Sequence, residues 1–192
     1  IFVFMRFLKI CVFFLLMSFS VNVHATESYN NAVKLTFLSW ITGSTKVSYE
    51  RALANHQSAE ICASMIGAGY DKFQNRPLGF TVRYGHKFFL LGNQNSGLDG
   101  FYVRPEAIYS HYSYDMQETL LRTPARMGAL LATTGYQTNF GRLLIDVWAD
   151  GGLAFGVPSE TGYHHGFALW NFLGRRNDNI ALSFSIRLGY CF

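Results

Sequence analysis

The chain reads as an all-β protein: an eight-stranded antiparallel barrel of membrane-spanning strands, preceded by a cleavable export signal. Three observations predict this. After residue 25, apolar residues recur with period two in segment after segment, the pattern of strands with two unlike faces. The apolar faces are rich in aromatic side chains, which make up 17% of the chain. The first 25 residues have the layout of a secretory leader. Alternation alone fits a soluble sandwich, apolar face inward, or a membrane barrel, apolar face toward lipid. Export and the aromatic residues near strand ends favour the barrel, since interfacial girdles require aromatics there.

Composition narrows the function. With 49% hydrophobic and 15% charged residues, against roughly 25% charged in an average soluble domain, the chain is not disordered. Its formal charge is only +4 and the basic residues are scattered, which argues against a nucleic-acid partner. Three cysteines without a CxxC spacing give neither a disulfide scaffold nor a zinc site, and no cofactor or metal is implied.

The elements follow in order. Met5-Arg6-Phe7-Leu8-Lys9 is a basic start, Ile10 to Phe19 an apolar run too short to span a bilayer, and Val23-His24-Ala25 a cleavage site. Residues 1–4 are expected to precede the start at Met5. Cys11 lacks the small residues that precede a lipidated cysteine, so no lipid anchor is expected. Residues 1–25 are thus the signal peptide and 26–192 the barrel.

Strands are predicted at 31–38, 44–53, 58–70, 78–90, 100–114, 128–138, 142–155 and 180–192, an even number, several near the ~9–11 residues a tilted spanning strand needs. In the fourth, Leu78, Phe80, Val82, Tyr84, His86, Phe88 and Leu90 share one face, with Thr81, Arg83 and Lys87 on the other. In the seventh, Leu143, Ile145, Val147 and Ala149 alternate with Leu144, Asp146, Trp148 and Asp150. In the last, Leu182 to Phe192 alternate with Ala181, Ser183, Ser185, Arg187, Gly189 and Cys191. Connections 54–57, 91–99 and 139–141 carry turn residues such as Asn55, Gly92-Asn93 and Gly141. Connections 71–77, 115–127 and 156–179 form a longer set, placed outside if both termini are periplasmic. The first connection, 39–43, is short for an outer loop.

Collecting charges on the polar faces gives six basic residues, Lys34, Lys46, Arg83, Lys87, Arg104 and Arg187, and five acidic ones, Glu50, Glu60, Glu106, Asp146 and Asp150. A barrel of eight strands is barely wide enough for its own side chains, so these charges must pair, and a salt-bridged plug is expected rather than a pore. Pairing also accounts for Asp146 and Asp150 without making them a catalytic couple. Cys62 and Cys191 fall on the inward face of non-adjoining strands, so no bridge between them is expected.

Phe192, at the tip of an alternating strand, resembles the signal by which the barrel-assembly machinery recognises bacterial outer-membrane proteins. Lys34-Leu-Thr-Phe-Leu-Ser-Trp-Ile-Thr-Gly-Ser44, the strand Val47-Ser-Tyr-Glu-Arg-Ala-Leu53 and the strand Gly100-Phe-Tyr-Val-Arg-Pro-Glu106 resemble small uncharacterised outer-membrane barrels of Bacteroidetes-type bacteria. That resemblance implies a fold and a bacterial outer-membrane location, and no catalytic residues.

One motif resembles an enzyme. His111-Tyr-Ser113 is similar to the motif of outer-membrane lipid A deacylases, which implies Ser113 as nucleophile, His111 as base and Glu118 in the next loop as third member. His111 and Ser113 share one strand face, as that chemistry requires. Here the motif lies on the fifth strand rather than a late one, and Tyr114 stands where that family has Asn. The plainer alternative is a polar-aromatic rim. His164-His165 in the seventh connection lack further ligands for a metal. Arg122, Arg126, Arg175 and Arg176 are expected in outer loops, facing lipopolysaccharide phosphates. The expected function is therefore a non-enzymatic envelope barrel, structural or acting in surface recognition through its loops. A lipid A ester hydrolase at Ser113 and His111 is the alternative, and a carrier of small apolar ligands at the barrel mouth a third.

Overall fold

In the computed structural model, residues 29–54, 56–71, 74–91, 98–116, 121–156, 168–170 and 177–192 are described. The predicted signal peptide, 1–25, lies outside them. The strands are β1 (Asn31–Thr36), β2 (Ser44–Ala54), β3 (Gln57–Ile66), β4 (Leu78–Leu91), β5 (Gly100–Asp115), β6 (Arg122–Phe140), β7 (Leu143–Phe155), β8 (Ala168–Trp170) and β9 (Asn177–Cys191), all paired antiparallel. Pairing runs in chain order from β1 to β7, then to β9, and β9 returns to β1, so eight strands close the barrel.

Closure is a row of five partners, from Ala32↔Cys191 to Thr36↔Arg187. It ends at the termini, where Asn31 N–H donates to Phe192 O (3.1 Å) and Phe192 N–H to Asn31 O (2.9 Å). This terminal end also holds the β2–β3 turn, the β4–β5 connection and the tight β6–β7 turn. In that last turn Phe140 faces Leu143 across two residues, and Gly141 supplies the positive φ (59°) that such a hairpin needs.

The alternation is realised in the wall. On β9, Ser183, Ser185, Arg187 and Cys191 are buried while Phe184, Ile186, Leu188 and Tyr190 are exposed, and the same phasing holds along β4 and β7. Of the described strand side chains that point outward, those with a formal charge are Arg51 near the terminal end and Asp115, Arg122 and Arg126 near the loop end. Between them the described outer surface carries no formal charge and is mostly apolar, the polar exceptions including Thr134 and the hydrogen-bonded pair Gln57 and His86.

Several boundaries differ from the sequence reading. The first strand ends at Thr36, and Phe37–Thr42 form a 3-10 rim helix closed by Gly43 (φ 79°). The helix buries Ser39 and exposes Phe37, Trp40 and Ile41. Strand β3 stops at Ile66, where Gly67 (φ 92°) turns the chain. The 115–127 connection shrinks to residues 116–121. Here β6 begins at Arg122 and pairs with β5 from Gly100↔Gln137 to Asp115↔Arg122 without a register shift. Arg122 and Arg126, expected in a loop, therefore stand on a strand. A ninth strand, β8, pairs with β9 at Leu182 and Ala181. It covers the edge of β9 above the part that the short β1 covers.

Candidate functional site in the barrel lumen

Every charge predicted to point inward does so. Lys34, Lys46, Glu50, Glu60, Arg83, Lys87, Arg104, Glu106, Asp146, Asp150 and Arg187 are each 6% exposed or less. The strands deliver them from around the circumference, and two linked tiers result.

The tier nearer the termini centres on two ammonium groups. Lys34 Nζ contacts the Glu50 carboxylate, Glu60 Oε2 at 2.5 Å and Asp146 Oδ2 at 3.1 Å. Lys87 Nζ reaches Glu50 (3.1 Å), Glu60 (3.3 Å) and Asp146 (3.1 Å). Both lysines also donate to Gln137 Oε1, at 3.2 and 2.6 Å. Tyr102 donates its hydroxyl to Asp146 Oδ1 (2.7 Å) and places its ring under Lys87, 4.2 Å from the ammonium. Ser58 donates to Glu50.

The second tier uses guanidinium groups. Arg104 donates to Glu60 Oε1 (2.7 Å) and lies in ion-pair contact with Glu106 Oε2 (2.5 Å). Arg83 lies in ion-pair contact with Glu106 Oε1 (2.6 Å) and donates to Asp150 (3.4 Å), which also accepts from Ser183 (2.8 Å). Arg187 contacts Glu60 and lies 3.6 Å from Asp146. Trp148 sits among three arginines, with Arg187, Arg83 and Arg104 at 4.8, 5.5 and 5.9 Å from its ring. Glu60 joins the tiers, touching Lys34, Lys87, Arg104 and Arg187. Gly85 makes room for this crossing, because a Cβ there would stand 2.5 Å from Arg104 Cδ.

The lumen is not polar throughout. Toward the loop end Ile66, Ile108, Tyr112, Tyr114, Met127, Ala129 and Leu131 form a buried cluster, and at the terminal end Tyr29, Ala32, Leu98, Leu144 and Cys191 form another. The charged tiers are layered between apolar ones. Tyr102, Gln137, Ser58, Ser183 and Trp148 complete the network, and a phasing that collects only charges passes over them. They occupy the same inward register as the charges.

The enzymatic motif is not assembled. His111 packs its ring against Phe80 (6.1 Å between centroids). The Ser113 hydroxyl accepts from Arg122 Nε (2.9 Å) and donates toward Leu78 O (3.5 Å). Among the described residues no hydrogen bond joins His111 to Ser113, so the hydroxyl proton points at a carbonyl rather than at a base. Glu118 lies outside the described residues, as do His164, His165, Arg175 and Arg176. Cys62 and Cys191 are buried and unbridged.

Compared with known protein families, with curated proteins and with solved structures, the chain matches none.

Proposed function

We propose that this chain is a bacterial outer-membrane barrel whose lumen is sealed by its ion-pair network, and that it serves the envelope as a structural or surface-recognition element without chemistry of its own. The observation that carries this reading is the distribution of charge. Eleven charged side chains are buried inside, whereas the described outer surface between Arg51 at one end and Asp115, Arg122 and Arg126 at the other carries no formal charge and is mostly apolar. A barrel in water has no reason to invert polarity in this way; a barrel in lipid must. Tyr49, Tyr84, Phe101, Tyr136, Phe140 and Tyr190, exposed on the half nearer the termini, suit an interfacial girdle.

On this reading the termini face the periplasm and the β5–β6 hairpin carries Arg122 and Arg126 beyond the apolar band toward lipopolysaccharide phosphates. Partners are outer-membrane lipids, the barrel-assembly machinery during biogenesis, with Phe192 as its signal, and a loop-end partner. Kinship with the small barrels that the Tyr49-Glu50-Arg51 strand resembles belongs to the same proposal.

The test is fractionation of expressing cells, gel mobility with and without boiling, and planar-bilayer conductance of the purified protein. The proposal expects outer-membrane recovery, a mobility shift on boiling and a silent bilayer. Recovery as a soluble periplasmic protein overturns the location, and steady conductance overturns the sealed lumen.

A further inference from the structure

The described strand charges inside the lumen do not sum to zero: six basic side chains face five acidic ones, all eleven buried. A net positive charge enclosed by protein and lipid is costly unless it is neutralised or compensated.

The same region holds hydrogen-bond donors without acceptors. The Ser48 and Ser64 hydroxyls, Arg83 Nε, Arg187 Nε and the Trp148 indole N–H are all buried and unpartnered, on residues 8% exposed or less. Two of them, the Ser48 and Ser64 hydroxyls, flank Lys46. Ser64 faces Lys46 directly across the β2–β3 ladder, Ser48 is the next inward residue on β2, and Cys62, opposite Ser48, faces Arg83 on β4. Arg83 and Arg187, together with the Asp150 carboxylate, are among the charges that Lys46 feels, and both arginines stack on Trp148. The inward side chains that Ser48, Cys62 and Ser64 contribute here are short, in contrast to the long ones that fill the tiers nearer the termini. The orphans are overwhelmingly donors. Water would satisfy them and leave the charge; an anion satisfies both.

We propose that the lumen binds one small monovalent inorganic anion, of halide size, between Lys46, Ser48, Ser64, Arg83, Arg187 and the Trp148 indole. The anion accepts from the orphaned donors and cancels the excess charge. This inference rests on the sealed-lumen reading above.

The experiment is urea unfolding of the refolded full chain in detergent, with sodium bromide titrated against sodium gluconate at constant ionic strength. A ligand that binds only the folded state raises the midpoint, by about 1 M urea when present at about a hundredfold its dissociation constant. The wild type is expected to show this rise. Lys46→Met is expected to abolish it, and Ser48→Ala with Ser64→Ala to weaken it, which covers the case in which Lys46→Met fails to fold. Anomalous scattering from bromide-soaked crystals should place the ion against Lys46. A wild-type midpoint indifferent to bromide overturns the site, as does an unchanged bromide response in Lys46→Met or in the double serine variant. Planar-bilayer conductance separates the two claims: steady conductance removes the sealed lumen, whereas a silent bilayer with a flat bromide titration removes the anion site alone.

Discussion

Glu60 shows how one residue decides the state of the lumen. It is the carboxylate that touches both ammonium groups of the terminal tier and two guanidinium groups of the next. Replacing it with Gln keeps the shape and removes the charge, so four cations lose a shared counter-charge in a buried site. Breaking a buried ion pair by removing one partner costs about 3–5 kcal/mol, and Glu60→Gln is expected at the upper end of that range in urea unfolding. Ser183→Ala, which removes one hydroxyl donor to Asp150 and leaves the Arg83 contact, is expected to cost about 1 kcal/mol. Adding Lys87→Met to Glu60→Gln should recover part of the loss, because it removes one of the stranded cations. A Glu60→Gln protein as stable as the wild type would mean that the network is hydrated and its pairs are dispensable.

At the scale of elements, β5, β6 and β7 are locked together by a glycine. Gly135 faces Tyr102 across the β5–β6 ladder and Trp148 across the β6–β7 ladder. A Cβ at Gly135 would stand 2.6 Å from the Tyr102 hydroxyl and 2.7 Å from Val147 O, so the ring lies flush over bare backbone. Gly135→Ala should push Tyr102 off Asp146 and cost about 1–3 kcal/mol by overpacking. Tyr102→Phe removes the hydroxyl, the nearest of the crowding atoms, while the ring Cζ and Val147 O stay at 2.7 Å, so the cost of Gly135→Ala measured in that background should fall in part, a coupling that a double-mutant cycle reads directly. Strictly additive costs would show that the ring and the glycine do not meet. These elements were also where the sequence was clearest and where it misled. Alternation through Thr81-Arg83-Lys87 and Asp146-Trp148-Asp150 put every inward charge in register, because a strand's period of two leaves no third face. The start of β6 was hidden: Pro124 and Arg126 are poor strand formers, and both point outward past the apolar band, where neither aromatic nor branched residues are required. The rim helix was hidden for the opposite reason, since Phe37-Leu-Ser-Trp-Ile41 is apolar enough to pass for a strand end. The inward Ile108, Met127 and Leu131 escape any rule that the lumen must be polar, because in so narrow a barrel space is filled by whatever fits.

For the whole molecule, the proposed reading makes the wall a boundary between two solvents, and that is testable apart from any role. Outward charge is confined to the strand ends, so the cost of adding a charge should depend on depth. Leu130, 62% exposed on the outer face of β6, lies between Tyr136 toward the termini and Arg126 toward the loop end. In water, Leu130→Lys on so exposed a position would change stability by no more than about 0.5 kcal/mol. In a bilayer the ammonium sits close to the midplane, and the expected cost is about 2–4 kcal/mol. Ser113 is also on the outer face, near the loop end and beside the Arg122–Asp115 pair, so Ser113→Lys should cost about 0–1 kcal/mol. The comparison is made by folding each variant into vesicles and measuring denaturant midpoints, with the same variants measured in a micelle, where depth is poorly defined. A large cost at 130 and a small one at 113, both shrinking in micelles, is the signature of a membrane wall. Equal costs at the two positions would return the protein to water, and the apolar exterior would then have to be read as a surface for other protein chains.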